Sequence, residues 1–161
     1  MKFLKPWLPA LCWMVVIFFL STDSFSAEHT SRIIVPLLRW LRPGISQEGI
    51  RRVHFFIRKS AHLSEYAVLA VLLCRAVEQS RQNFGHWKSV LIAIAVATLY
   101  AASDEFHQSF VPSRTASIRD VMIDSCGAMI GLFIFWVIHS TASAIRGSAL
   151  RPPGSEPESS L

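Results

Sequence analysis

The run VLIAIAVATLYAASDEFHQ, Val90 to Gln108, decides how the chain is read. Its first part, Val90 to Ala102, is almost wholly apolar. It approaches the ~20 residues that cross a bilayer as a helix. It then ends in Asp104, Glu105, His107 and Gln108. Ionisable groups at or near a bilayer core are costly, and by default they mark function. On a helix Asp104, His107 and Gln108 share one face, at spacings of three and four. Glu105 points about 100° from Asp104. The segment thus offers a polar ridge that needs partners elsewhere in the chain.

Working outward, the composition supports a membrane protein. Of the 161 residues, 52% are apolar and only 17% are charged, below the roughly 25% charged of ordinary soluble domains. Mean hydropathy is +0.38. The net charge of +5 suits contact with lipid phosphates. Nucleic acid is disfavoured, because the basic residues are not set in a soluble fold. Cys12, Cys74 and Cys126 lie in separate apolar runs. They match no metal pattern and read as small packing residues.

Three further apolar runs accompany the first. Pro6 to Leu20 follows Lys2 and Lys5 and is short for a span. It reads as an uncleaved anchor, and a signal peptide with Ser24-Phe25-Ser26 at its cleavage site is the competing reading. Ala61 to Val77 opens with His62, Glu65 and Tyr66 on one helical face. Val121 to Ile138 begins beside Asp120 and Asp124, one turn apart. Gly127 and Gly131 follow at the spacing that lets membrane helices pack closely. Gly127 shares a face with Asp124, which turns that acid toward a neighbouring helix rather than lipid.

The long connection from Ser21 to Lys59 carries two amphipathic pieces. In Ser31 to Leu41, Ile33, Ile34, Leu37, Leu38 and Leu41 recur at helical spacing, and Pro36 predicts a kink or a break. Pro43-Gly44 is a break. Ser46 to Lys59 sets Ile50, Val53, Phe56 and Ile57 against Arg51, Arg52, Arg58 and Lys59, a pattern suited to a membrane surface. After Phe110, a turn at Val111-Pro112-Ser113 carries Arg114, a cation close in sequence to Asp104 and Asp120. It could neutralise carboxylates or hold a phosphate. The expected architecture is all-α: an integral membrane bundle of about four transmembrane helices with an interfacial amphipathic segment. A transmembrane domain over 1–139 and a polar, disordered tail over 140–161 complete it.

Consecutive antiparallel spans put the start of the second, the end of the third and the start of the fourth on one side of the membrane. His62, Glu65, Tyr66, Asp104, Glu105, His107, Gln108, Arg114, Asp120 and Asp124 then form one candidate polar pocket. The positive-inside rule weighs nine basic residues on the pocket's side against six on the other, if every run crosses.

Arg58-Lys59-Ser60-Ala61-His62-Leu63-Ser64-Glu65-Tyr66 resembles the first motif of the VanZ-like family. Asp104 through Arg114, followed by Asp120 and Gly127, resembles its second. The likeness runs from about Lys5 to Ile138. Ser113 stands where the family commonly has glycine, and Asp124 where it commonly has asparagine. The resemblance implies a small helical protein of the cell membrane. The family's namesake is linked to low-level resistance to the lipoglycopeptide teicoplanin, and the resemblance names no reaction or cofactor.

Three readings follow. In the first, the pocket binds an anionic headgroup of a membrane lipid or lipid-linked cell-wall precursor and so modulates the envelope or glycopeptide susceptibility. In the second, the chain is a membrane enzyme, with His107 or His62 as base and Asp104 or Glu105 as orienter or metal ligand. No metalloprotease or nucleophile motif supports it. In the third, the polar groups only join helices in a non-catalytic accessory protein.

Overall fold

Alanines at every fourth position set the packing of the bundle. Ser89, Ala93, Ala97 and Ala101 are all fully buried and lie on one face of a helix. That face continues through Asp104, Glu105 and Gln108, also buried. The larger side chains on the other faces, Leu91, Leu99 and Phe106, point outward. Small residues inside and bulky ones outside are what lipid-immersed helices need, since close backbone approach replaces hydrophobic exclusion there.

The computed structural model describes residues 4–22, 27–80, 85–111 and 117–149, with 27–30, 33, 144 and 147–149 described by their backbone only. Among these, every regular element is helical: α1 (Leu8–Leu20), α2 (Ala27–Leu41), α3 (Gln47–Ser80), α4 (His86–Gln108) and α5 (Ile118–Ala149). The all-α bundle expected from the sequence is therefore what forms. Three helices, α3, α4 and α5, are long and apolar enough to cross a membrane, and α1 is a shorter apolar helix of 13 residues. The expected Arg114 lies outside the described residues, as do Ser24 to Ser26 and 150–161.

Three elements differ from the sequence reading. The basic amphipathic piece at Ser46 to Lys59 and the apolar run from Ala61 are one continuous helix of 34 residues. Nothing between Ile50 and Ser80 is glycine or proline, so the change from basic to apolar composition does not interrupt the backbone. Likewise α2 runs unbroken through Pro36. Proline forfeits one helical hydrogen bond. Beyond residue 139, α5 continues helical to Ala149.

The core lies between α3, α4 and α5, with α1 against α3. At Gly127 a Cβ would stand 2.4 Å from the Leu63 carbonyl oxygen, and at Gly131 it would stand 2.5 Å from that of Ala67. Thus α5 lies directly on the backbone of α3. Contacts at the two ends fix the directions. Trp7 Nε1 donates to Ser80 Oγ at 2.9 Å, joining the start of α1 to the end of α3. His86 at the start of α4 pairs with Glu78 at 2.7 Å. At the other end, Ser21 just beyond α1 meets Asp104 near the end of α4. So α1 runs between both ends of the bundle, parallel to α4. The amphipathic α2 rests on the first half of α3, where Ser31 Oγ lies 3.4 Å from His54 Nε2.

Candidate functional site: the polar end of the bundle

Four helices deliver polar groups to one end. From α4, Asp104 Oδ2 accepts from the Ser21 hydroxyl at 2.7 Å and from its own helix neighbour Gln108 Nε2 at 2.9 Å. Gln108 also reaches Ser21 Oγ at 3.4 Å. The i, i+4 spacing of Asp104 and Gln108 brings the amide onto the carboxylate. Ser21 crosses from α1 to complete the set. All three residues are buried. One step around the same helix, Glu105 Oε2 accepts from the backbone N–H of Ser117 at 2.9 Å, which ties the chain entering α5 to α4.

The α3–α5 seam supplies the opposite charges. Asp120 is paired with Lys59, and Arg58 Nη2 lies 3.6 Å from its other oxygen. One turn along, His62 Nδ1 lies 3.7 Å from Asp124 Oδ1. These pairs rise in step with the glycine contacts, Asp120 with Lys59, Asp124 with His62, Gly127 on Leu63 and Gly131 on Ala67. The helices are therefore parallel and in a fixed register. Asp124 is fully buried, and neither of its oxygens has a hydrogen-bond partner among the described residues. The same holds for Glu105 Oε1 and the hydroxyl of Tyr66, itself wholly buried. Glu65, Asp104, Glu105 and Asp120 all act electrostatically on Asp124.

The expected residues are not all placed alike. His62, Tyr66, Asp104, Glu105, Gln108, Asp120 and Asp124 are buried at this end. Glu65 is half-buried, and its backbone carbonyl accepts from Trp13 Nε1 at 2.9 Å. His107 is half-buried at the edge, its ring 4.7 Å from that of Phe18 on α1. Glu105 faces inward together with Asp104, so the polar face is wider than the ridge of Asp104, His107 and Gln108. Its signal was the four-residue ladder from Ser89 to Ala101, whose next step is Glu105.

Three groups at this end were not placed there by the sequence reading. Arg58 and Lys59 reach it as the partners of Asp120. Their positions four and three residues before His62 on an unbroken helix are the signal that could have found them. Ser21 gives no such signal, since only the tertiary pairing of α1 with α4 brings it there. Among the described residues, no three His, Cys, Asp or Glu side chains converge to hold a metal.

A family model described as VanZ/LLP1 matches residues 6–139. The chain belongs to the VanZ/LLP1 family. The match covers α1 through most of α5, including every described polar group above. The chain is thus a VanZ-like membrane protein, built on three helices apolar enough to span and a shorter apolar first helix. Neither the curated proteins nor the solved structures include a match to it.

Proposed function

We propose that this VanZ-like chain is a multi-pass protein of the cell membrane that modulates the envelope, and with it teicoplanin-type susceptibility. It does so by holding the polar headgroup of an envelope lipid or lipid-linked precursor at the polar end of the bundle. The observation that carries this reading is the convergence of α3, α4 and α5, with Ser21 from the end of α1, on one set of charged groups: the half-buried Arg58 and Lys59 and the buried His62 beside the buried Asp104, Glu105, Asp120 and Asp124. Polar contacts between membrane helices average only ~0.6 kcal/mol in one measured system. Helix adhesion alone is therefore a weak reason for so many. Headgroup phosphate suits Arg58 and Lys59. The carboxylates suit hydroxyl or amine donors.

A membrane enzyme is the second reading, and the imidazole–carboxylate pair of His62 and Asp124 favours it. At 3.7 Å the pair is not a hydrogen bond, and no nucleophile or metalloprotease motif accompanies it, so binding stands ahead. The test compares cells lacking the protein with cells making wild type or Asp124→Asn at equal membrane abundance. Envelope lipids and lipid-linked precursors are profiled by mass spectrometry, and teicoplanin susceptibility is measured alongside. A susceptibility shift with wild type only supports the binding reading. A chemically new lipid species with wild type only moves the assignment to an enzyme. No change in either leaves the accessory role.

A further inference from the structure

The buried atoms at the polar end are unbalanced in kind as well as in charge. Glu105 Oε1 and both Asp124 oxygens are acceptors without a donor among the described residues. Asp124 is 0% exposed and Glu105 5%. Tyr66, also 0% exposed, brings a hydroxyl with no hydrogen-bond partner among the described residues. The acids Asp104 and Asp124 are its electrostatic neighbours. Leaving such groups unmade is costly. A ligand that satisfies them must bring a small positive centre that several oxygens can approach.

Two ligand classes meet that demand, a metal ion and a primary ammonium. The described His, Cys, Asp and Glu side chains do not converge in threes as metal ligands do. An ammonium needs no such closed shell, because its three N–H donors point to separate acceptors. Next to the acids stand Lys59 and Arg58, paired with Asp120 at the cluster's rim, with Arg58 the more exposed of the two. Asp120 and Asp124 are one turn apart, about 6 Å of axial rise. That is the scale of a two-carbon bridge between a phosphate and an amine.

We propose that the polar end of the bundle recognises a primary ammonium carried next to a phosphate, as in an ethanolamine-type lipid headgroup. The ammonium lies among Asp124, Glu105 and Tyr66, and the phosphate lies toward Arg58 and Lys59. This rests on the headgroup reading above and narrows it, because a purely anionic headgroup leaves the acceptors unmatched.

The full chain in detergent micelles is offered equal amounts of phosphatidylethanolamine, phosphatidylcholine and phosphatidylglycerol, and retained lipid is counted by native mass spectrometry. Phosphatidylcholine keeps the phosphate and the positive charge but has no N–H. The expected result is about tenfold preference for phosphatidylethanolamine over both, the size of one charge-assisted hydrogen bond. Asp124→Asn removes the preference. Tyr66→Phe, which keeps the ring and its packing, reduces it and guards against misfolding of the first variant. Equal retention of the amine and choline lipids, or preference for phosphatidylglycerol, overturns the ammonium assignment. The headgroup reading then stands if Lys59→Gln lowers retention of all three. Retention of none above a helical membrane protein of unrelated sequence overturns both. Displacement of bound lipid by free phosphoethanolamine, but not by phosphocholine, supports the site and adds a soluble source. Preference for the amine lipid without that displacement supports it with the lipid as the source.

Discussion

Lys59 is the residue whose removal tests the charge arrangement most directly. Asp120 is only 6% exposed and is held by Lys59, with Arg58 at 3.6 Å as the lesser partner. Lys59→Ala leaves a nearly buried carboxylate with one more distant cation and two neighbouring acids, Glu105 and Asp124. Breaking a buried pair costs about 3–5 kcal/mol, and the remaining Arg58 and partial solvent screening reduce this to about 1–3 kcal/mol. Unfolding in mixed micelles measures it. Adding Asp120→Asn to Lys59→Ala should restore much of the loss, because the stranded charge goes with it. Ser21→Ala makes a smaller test. It removes the hydroxyl donated to Asp104, at a cost of about 1–3 kcal/mol for a buried acceptor. A stability unchanged in the same unfolding assay would show that Asp104 is satisfied without the Ser21 hydroxyl. Much of this site was legible residue by residue, since acids at run ends are conspicuous. The cations were not, because a basic cluster next to an apolar run reads equally well as a surface patch. Their pairing with Asp120 on α5 is tertiary and leaves no periodic mark in the sequence.

At the scale of the helix, the α3–α5 seam is set by two missing side chains. A methyl at Gly127 or Gly131 meets a carbonyl oxygen of α3 at 2.4 or 2.5 Å, and that oxygen belongs to backbone that cannot swing away. Gly127→Ala and Gly131→Ala should each cost about 1–3 kcal/mol by overpacking, despite the roughly 1 kcal/mol that alanine gains in helix propensity. Gly44→Ala is the control, since nothing lies within 4 Å of its added carbon. Because the seam carries Asp120 against Lys59 and Asp124 against His62, the double glycine variant should also lose headgroup retention. Equal stability of all three variants in micelle unfolding would mean that the seam is loose. The glycine spacing was readable as a packing strip, but its partner was not. Periodicity assigns a face to a helix and says nothing of which neighbour receives it. The same limit hid Glu105. The sequence reading took the acidic ridge as its reference, whereas the alanine ladder of α4 fixes which way that helix turns.

At the scale of the molecule, the open matter is what α1 contributes to the crossing. Its 13 residues rise about 20 Å at ~1.5 Å each, against ~30 Å of hydrocarbon. Yet Trp7 reaches Ser80 at one end and Ser21 reaches Asp104 at the other. Those contacts let α1 pass between both ends of the bundle because the inner side of its last turn lies against the buried polar cluster. Ile17 and Ser21 are met by protein there while Phe18 and Phe19 stay exposed, so the apolar length α1 must supply on that inner side is shorter. This predicts a definite pattern of labelling by a membrane-impermeant thiol reagent. In a chain whose Cys12, Cys74 and Cys126 are replaced by serine or alanine, single cysteines are placed at the exposed positions Lys5, Gly85 and Ser109. Lys5→Cys and Gly85→Cys should react from one side of the membrane, and Ser109→Cys from the other. Labelling of Gly85→Cys and Ser109→Cys from the same side would remove α4 as a span and with it the bundle's orientation. Lys5→Cys reacting on the side of Ser109→Cys would show that α1 lies along the surface. In that arrangement Trp7 could not reach Ser80 at the opposite end, and α1 would no longer run alongside α4.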